Sequence, residues 1–257
     1  MRTRLPLTAA LAAALLLTAC GGADDTGGSS SGALRVATEG TYSPFSFHAP
    51  GTNELTGYDV EVVQAVAARL GREVEFSETQ FDAIFAGLEA RRYDVVANQI
   101  TINPEREARY LLSAPYTVSN GVVVTRVGDD SVDALEDVDG KRSAQSTTSS
   151  FAELAREAGA QVEAVEGFTQ AVTLLKQERV DVTINDSLAF LEYQKSTGDQ
   201  SVKIAAEIDQ PSEQALVFRQ DSADLRAQVD TALQELRADG TLARISEEYF
   251  GQDVSGS

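Results

Sequence analysis

The sequence has few of the residues that most often carry out catalysis or bind transition metals. Its 257 residues include one Cys, one His, one Met and no Trp. A zinc site built from Cys and His is therefore excluded, and a Ser-His-Asp or Cys-His catalytic site would have to use His48. His48 lies in a polar stretch, where a solvated surface histidine is expected. We expect no metal and no cofactor.

Positive charge is also scarce. The chain has 21 Lys and Arg against 40 Asp and Glu, which gives a net charge of −19 and a pI near 4.4. Binding of nucleic-acid phosphates needs clustered Lys and Arg, so we expect no nucleic-acid partner. The composition is otherwise globular, with 42% hydrophobic and 24% charged residues, and the length allows one or two domains.

The N-terminal segment resembles a bacterial lipoprotein leader. Arg2 and Arg4 precede an apolar run of eleven residues, 7–17, which is shorter than the roughly 20 residues of a membrane span. Leu17-Thr18-Ala19-Cys20 then matches the lipoprotein cleavage pattern. An ordinary signal peptide with an incidental Cys is the alternative, but the only Cys lies at the cleavage position. We predict a signal peptide over 1–19 and lipidation of Cys20.

Residues 20–33 are then the acylated Cys and a flexible tether, because this stretch is rich in Gly, Ser and Asp and has almost no apolar side chains. The lipid would anchor the protein on the extracellular or periplasmic face of the cell membrane.

The folded part contains an internal repeat. Strand and helix patterns alternate from Leu34 onward, and residues 81–100 align with residues 168–187 without a gap at an offset of 87, with six of the twenty positions identical. This alternation predicts two α/β lobes with mostly parallel sheets. Asn98-Gln99-Ile100-Thr101 and Asn185-Asp186-Ser187 follow equivalent strands, and ligands bind at the carboxyl ends of such strands. The alternative for these residues is an ordinary turn or helix cap.

Several motifs resemble one family in sequence order. They are Thr38-Glu-Gly-Thr-Tyr-Ser-Pro-Phe45, Gly57-Tyr-Asp-Val-Glu61, Ile100-Thr-Ile-Asn-Pro-Glu-Arg106, Gly140-Lys-Arg142, Val180-Asp-Val-Thr-Ile-Asn-Asp-Ser187 and Ala238-Asp-Gly-Thr-Leu-Ala-Arg244. The chain is similar to the bacterial extracellular solute-binding proteins of family 3, which serve polar amino-acid ABC importers. The resemblance implies a two-lobed periplasmic-binding-protein type II fold, or Venus flytrap. Lobe 1 would comprise 34–122 and 217–257, and lobe 2 would comprise 123–216, with hinge strands near 121–127 and 214–219.

The same resemblance implies a function. The protein would be a monomeric substrate-binding lipoprotein that captures a free polar amino acid by closing its cleft and delivers it to a membrane permease with a cytoplasmic ATPase. The short run Ser143-Ala-Gln-Ser-Thr-Thr-Ser149 and the Asn98-Gln99 pair resemble a cystine-binding branch. A basic amino acid or glutamine is the alternative ligand. A dehydratase-type enzyme on the same fold is a more distant alternative, and we expect no enzymatic activity.

An amino-acid ligand needs a partner for its carboxylate. Arg106 can bind a carboxylate with two hydrogen bonds, and its motif position implies this role, whereas an isolated arginine would more often lie solvated on a helix surface. The backbone N–H groups of Thr147 and Thr148, just before a predicted helix, would bind the same carboxylate from the other lobe.

The ligand ammonium needs acceptors. By family position, Asp186 would pair with it, while Gln99 and Thr101 would add neutral hydrogen bonds beside Asn98. Glu39 follows the first strand, where the resemblance implies an acid that binds a basic side chain or a second ammonium. Its alternative is an ordinary loop acid.

Aromatic side chains would form the apolar walls of the site, as in most small-ligand pockets. The candidates are Tyr42, Phe45 and Phe81. For Phe45 the alternative is a position in the core, and for Phe81 it is a packing contact at the start of a helix.

Overall fold

A computed structural model describes residues 32–256. The predicted signal peptide over 1–19, the predicted lipidation of Cys20 and most of the predicted tether over 20–33 lie outside the described residues. Within residues 32–256, no helix is both long and apolar enough to cross a membrane.

Strands and helices alternate along most of the described chain. The strands are β1 Leu34–Thr38, β2 Thr41–Tyr42, β3 Ser46–His48, β4 Leu55–Thr56, β5 Val74–Glu78, β6 Val95–Thr101, β7 Leu111–Leu112, β8 Thr117–Ser119, β9 Gly121–Arg126, β10 Arg142–Gln145, β11 Gln161–Ala164, β12 Thr183–Asp186, β13 Val202–Glu207 and β14 Ser212–Phe218. The helices are α1 Tyr58–Arg69, α2 Phe81–Glu89, α3 Pro104–Arg109, α4 Ser150–Glu157, α5 Phe168–Lys176, α6 Ser187–Thr197, α7 Ala223–Ala238 and α8 Thr241–Phe250, with a 3-10 helix at Leu135–Val138.

The first lobe is built on the sheet β5-β1-β6-β14-β7, to which β8 adds by pairing with β14. Strand β1 is parallel to β5 and β6, whereas β14 runs antiparallel to β6. Successive side chains of a strand point to opposite faces. Val36 accordingly packs in a core with α1, α7 and α8, and Ala37 packs in a second core with Ile84 and Leu88 of α2. Helices therefore cover both faces of this sheet.

The second lobe has the antiparallel sheet β12-β9-β13 and the parallel pair β10-β11. A bridge between Ser143 and Val182 joins β10 to β12. Val123 and Ile184 are buried in a core of this lobe together with Ala155 of α4. As in the first lobe, strands with buried apolar side chains are packed against helices.

The repeat is visible in the structure of the two lobes. Arg35 of β1 pairs with Asp94 at 2.7 Å, and Arg142 of β10 pairs with Asp181 at 2.9 Å. Asp94 immediately precedes β6, and Asp181 lies two residues before β12. The two aspartates are 87 residues apart, as are the first residues of α2 and α5. The matched residues thus make equivalent contacts in each lobe.

Two short connections link the lobes. The chain leaves the first sheet after Ser119 and enters the second at Gly121, and it returns between the end of β13 and the start of β14 at Ser212. These crossings lie close to the predicted hinge strands, and the lobe limits of 34–122 with 217–257 and of 123–216 stay a prediction. The arrangement places the carboxyl end of β6 opposite that of β12.

Candidate functional site

A cavity lies between the lobes, a place where small-molecule sites are often found. From the first lobe it is lined by the predicted residues Glu39, Tyr42, Phe81, Asn98, Gln99, Thr101 and Arg106. From the second lobe it is lined by Ala144, Gln145, Ser146, Ser149, Ser150, Phe151, Val165, Gly167, Phe168, Ala171, Thr183 and Asn185. The cavity therefore collects most of the predicted ligand residues.

Arg106 is the only cation among the residues that line this cavity. The Asn103 side chain accepts a hydrogen bond from the Arg106 N–H at 2.9 Å, and Pro104 is the first residue of α3, so the helix start places Arg106 in its first turn. The side chain is 7% exposed, and its Nη1 donates to the carbonyl of Thr101 at 2.8 Å. It is buried, not solvated on the helix surface.

The Arg106 guanidinium forms no ion pair with any residue in the range 32–256. Its Cζ lies 5.5 Å from the ring centroid of Phe85. Desolvation lowers its pKa to about 10, so it stays protonated at neutral pH. A buried charge without a counterion is costly, and the site can therefore accept an anion.

Glu39 supplies a negative charge to the same cavity. Its Oε2 accepts a hydrogen bond from Asn98 Nδ2 at 2.6 Å, and Asn98 Oδ1 accepts from the Glu39 N–H at 2.8 Å. Asn98 thus fixes the orientation of Glu39. Desolvation raises the pKa of Glu39, and the hydrogen bond from Asn98 opposes this. No Lys or Arg pairs with Glu39 in the described part of the chain.

Two hydrogen bonds cross the cavity. The hydroxyl of Tyr42 donates to Asn185 Oδ1 at 2.8 Å, and the hydroxyl of Ser150 donates to Thr101 Oγ1 at 3.1 Å. Burial, and then the negative charge of Asp186, raise the pKa of Tyr42 well above its ordinary value. Tyr42 therefore stays a neutral donor that connects the lobes.

Thr147 and Thr148 lie outside the cavity wall, contrary to the sequence prediction. Their backbone N–H groups and hydroxyls all donate to the carboxylate of Asp82, at distances of 2.7–3.1 Å. Although partial burial acts in the opposite direction, these bonds lower the pKa of Asp82. The donors predicted for a ligand carboxylate are thus occupied by a carboxylate of the other lobe. No local sequence pattern marks Asp82 as the partner of Thr147 and Thr148.

Phe45 and Asp186 also do not line the cavity. Phe45 is fully buried in the core, where its ring lies 5.0 Å from that of Tyr42 and 5.8 Å from that of Phe250. Tyr42 occupies the cavity side of this aromatic cluster, so the core alternative describes Phe45.

Asp186 caps helix α6, and this explains its position. Its Oδ1 accepts from the Leu188 N–H at 2.8 Å, and its Oδ2 accepts from the hydroxyl of Ser119. The side chain is 2% exposed, and burial raises its pKa to about 6. Its neighbour Asn185 lines the cavity instead.

Comparison with known proteins identifies the family. The chain belongs to the bacterial extracellular solute-binding proteins, family 3, because the model of that family matches residues 34–252. Its fold is the two-lobed α/β fold of the amino-acid-binding proteins. The fold prediction is therefore confirmed.

Three amino-acid-binding proteins are similar to this chain in sequence or in structure. The L-cystine-binding protein TcyA of Bacillus subtilis is 50% identical over 224 residues, which cover 87% of this chain and 83% of that protein. The L-cystine solute receptor of Neisseria gonorrhoeae, in its unliganded open conformation, is 44% identical with a TM-score of 0.58 and covers 88% of this chain and 95% of its own. An ancestral arginine-binding protein bound to arginine is 33% identical with a TM-score of 0.80, covering 86% and 99%.

Sequence identity and TM-score rank the Neisseria receptor and the ancestral arginine-binding protein in opposite order. The Neisseria receptor has the higher identity, yet the arginine-bound protein has the higher TM-score. The chain as a whole is therefore more similar in structure to the arginine-bound protein than to the open receptor. The hydrogen bonds across the cleft agree with a closed arrangement.

We predict that Asp82→Asn accelerates ligand release. The substitution replaces one acceptor oxygen by an N–H donor that faces the donors of Thr147 and Thr148. Because Asp82 is solvent-exposed, the loss should be about 1 kcal/mol, or roughly a fivefold faster dissociation. The association rate should not change, because these bonds form only on closure. Stopped-flow measurement of both rate constants checks this.

Glu89→Gln is the matched control, because Glu89 ends the same helix and bonds to Tyr110 and Arg109 of its own lobe. If Glu89→Gln accelerates dissociation as much as Asp82→Asn, or if neither variant does, the closing role of Asp82 is wrong.

Proposed function

We propose that this chain is the receptor of an ABC importer and that it captures cystine between its lobes. The observation that carries the proposal is a pair of oppositely charged groups in one cavity, the buried Arg106 and the half-buried Glu39, neither of which has an ion-pair partner within residues 32–256. A ligand with an α-carboxylate at one end and a cation at the other supplies both missing charges. Buried charges need such partners.

The charges also limit the ligand class. Arg106 would bind an α-carboxylate with two hydrogen bonds. Since it is the only cation among the described residues that line the cavity, a ligand with a net negative charge would leave one carboxylate unbalanced, and this disfavours aspartate and glutamate. Glu39 would pair with a second ammonium at the other end of an elongated ligand. Cystine has such an ammonium at its far end, and the carboxylate beside that ammonium leaves the ligand neutral overall. Two of the relatives above are named for binding cystine.

A basic amino acid is the second candidate ligand. Its side-chain cation could pair with Glu39 while Arg106 binds the carboxylate, and a structural relative is bound to arginine. Glutamine would leave Glu39 without a cation. We favour transport over the dehydratase alternative, because the three proteins compared above are all named as binding proteins or receptors.

The remaining site residues have distinct proposed roles. Tyr42 and Phe81 form apolar walls, and Thr101 with Gln99 offers neutral hydrogen bonds. Asp186 contributes a buried negative charge behind Asn185, which favours a ligand ammonium without direct contact from the cavity wall. Thr147 and Thr148 act through closure by binding Asp82.

We further propose that the protein is lipidated at Cys20 and held near its permease as a monomer. The support is the sequence pattern Leu17-Thr18-Ala19-Cys20 with a basic and apolar leader before it. The tether over 20–33 would give the two lobes reach from the outer face of the membrane to the permease.

Cystine should stabilise the protein more than any of the common amino acids. A ligand at a hundred times its dissociation constant adds about 2.7 kcal/mol to the free energy of unfolding. For a domain of this size the melting temperature should rise by roughly 5–10 °C. A thermal-shift screen measures this. A larger shift with arginine or glutamine than with cystine would overturn the cystine assignment and leave the receptor role intact.

Glu39→Gln should reduce the rise in melting temperature that cystine causes, because the second ammonium of cystine loses its charge partner. Glu75→Gln is the matched control, since Glu75 is an exposed acid of β5, and its shift should equal that of the wild type. If cystine raised the melting temperature equally in the wild type, Glu39→Gln and Glu75→Gln, the proposed contact between Glu39 and the ligand would be contradicted.

Arg106→Ala should weaken cystine binding strongly while the fold is retained. Loss of one partner of a buried charge pair costs roughly 2–5 kcal/mol, so affinity measured by calorimetry should fall at least about thirtyfold. Arg109→Ala removes an exposed arginine of the same helix and should change affinity little. An Arg106→Ala affinity within threefold of the wild type would show that the cleft binds its ligand elsewhere.

Cys20→Ala should release the protein from the membrane fraction, because the lipid cannot be attached. Fractionation of cells that express the wild type or the variant, with immunodetection, checks this. A variant that remains with the membrane would contradict lipidation as the anchor.

A further inference from the structure

The two charged groups of the cavity are held at different points along strand β6. Asn98 Nδ2 donates to the Glu39 carboxylate at 2.6 Å. Three residues further on, the Thr101 carbonyl accepts from Arg106 Nη1 at 2.8 Å. Since a strand rises about 3.3 Å per residue, these two positions on β6 are separated by up to roughly 10 Å. An elongated ligand that pairs with both charges would therefore extend along β6, with its far end at Glu39.

At the Glu39 end of the cavity, the far half of cystine brings a carboxylate as well as an ammonium group. Glu39 can pair with the ammonium group, but it would repel the carboxylate. Arg106 is the only cation among the described residues that line the cavity, and it is engaged at the other end. Because a desolvated charge without a partner is costly, this carboxylate needs an uncharged hydrogen-bond donor.

Asn185 of β12 offers such a donor. Its Oδ1 accepts hydrogen bonds from the backbone N–H of Asp186 and from the hydroxyl of Tyr42, both at 2.8 Å. A backbone N–H can only donate, so the amide atom that faces it is the oxygen, and the other is the nitrogen. Within residues 32–256, Nδ2 donates to no other group. Its N–H bonds are thus available to a ligand.

The cavity gives access to this amide. Asn185 lines the cavity and is only partly buried, and its Nδ2 is not among the fully buried side-chain atoms that lack a partner in the described chain. The hydroxyl of Tyr42, which binds Oδ1, belongs to the opposite lobe, and Tyr42 lines the same cavity. Since Nδ2 and Oδ1 are bonded to the same carbon, Nδ2 also lies in the cleft between the lobes.

Asn185 lies at the Glu39 end of the cavity. After burial, the negative charges of Asp186 and then of Glu39 are the largest causes that raise the pKa of Tyr42 above its ordinary value. Both carboxylates are therefore near the hydroxyl that binds Asn185. They would repel a ligand carboxylate that arrived alone, but they attract the ammonium group beside it.

We infer that Asn185 is a specificity-determining residue whose amide N–H group binds the carboxylate at the far end of cystine, next to the ammonium group that pairs with Glu39. The inference rests on the proposed function, because it assigns a contact to the ligand proposed there. A basic amino acid has a cation but no carboxylate at its far end, so it would leave this N–H group without an acceptor. Asn185 thus favours cystine over the second candidate ligand.

The test compares two ligands by calorimetry, cystine and the mixed disulfide of cysteine and cysteamine. The mixed disulfide keeps the length and both ammonium groups of cystine but lacks the far carboxylate. Asn185→Asp keeps the oxygen that Tyr42 and Asp186 bind and replaces only Nδ2 by an oxygen.

The Asn185→Asp variant should bind cystine at least about tenfold more weakly than the wild type, because a hydrogen bond to a charged group is lost. Its affinity for the mixed disulfide should fall by less than about threefold, or rise, because that ligand has no far carboxylate to lose the bond. A loss for cystine that is no larger than the loss for the mixed disulfide would overturn the inference.

A second variant keeps the test decisive if the new carboxyl group of Asn185→Asp is protonated or the variant folds poorly. Asn185→Ala removes the donor without adding an ionisable group, and it should lower the preference for cystine over the mixed disulfide at least about fivefold. Tyr42→Phe is the matched control, since it removes the hydrogen bond between the lobes and leaves Nδ2 in place. Its preference should equal that of the wild type. An equal preference in Asn185→Ala, Tyr42→Phe and the wild type would overturn the inference.

The outcome also separates this inference from the proposed function. A wild-type protein that binds neither cystine nor another amino acid would overturn both the proposed function and the role of Asn185. A wild type that binds cystine, with substitutions of Asn185 that weaken both ligands alike, would overturn the role of Asn185 alone.

Discussion

Two charges of opposite sign, those of the buried Arg106 and the half-buried Glu39, line one cavity without an ion-pair partner in residues 32–256. Such an arrangement is unfavourable by itself, because desolvated charges need counterions. The two groups therefore favour the binding of a ligand that supplies their counterions. A zwitterion that pairs both groups would stabilise the closed protein relative to the open one by the difference in contacts, which is the condition for a ligand-driven shift between two states.

Several of the contacts that join the lobes within residues 32–256 are polar. Asp82 binds Thr147 and Thr148, Tyr42 binds Asn185, and a further hydrogen bond joins Thr101 to the second lobe. Hydrogen bonds of this kind exchange readily with water, and their net contribution is small compared with that of an apolar interface. Closure can then depend on the ligand, which a receptor needs if it is to release its cargo to a permease.

The sequence allowed much of this structure to be predicted, because local patterns set it. The repeat at offset 87 reflects equivalent helix and strand units with equivalent ion pairs, Arg35 with Asp94 and Arg142 with Asp181. The polar residues at the end of β6 reach the cavity because ligands bind at the carboxyl ends of strands. The start of α3 at Pro104 placed Arg106 in a first turn, where the motif expected it.

Contacts between distant elements could not be predicted in the same way. Asp82 and Thr147 are separated by 65 residues and lie on different lobes, so no local pattern pairs them. The free N–H groups of Thr147 and Thr148 indicated an anion site, but a protein carboxylate occupies it. The carboxylate of Asp186 caps α6 and accepts a hydrogen bond from Ser119. Its position at the end of a strand does not predict these two contacts. Side-chain direction at such points depends on tertiary packing.

The account depends on both charges of the ligand being needed at once. Calorimetry of the wild type with cystine, cystamine and 3,3′-dithiodipropionic acid tests this directly, because cystamine lacks the carboxylates and the diacid lacks the ammonium groups. The account predicts that cystine binds and that each analogue binds at least about a hundredfold more weakly. Binding of either analogue within threefold of cystine would show that Arg106 and Glu39 are not paired by one zwitterionic ligand.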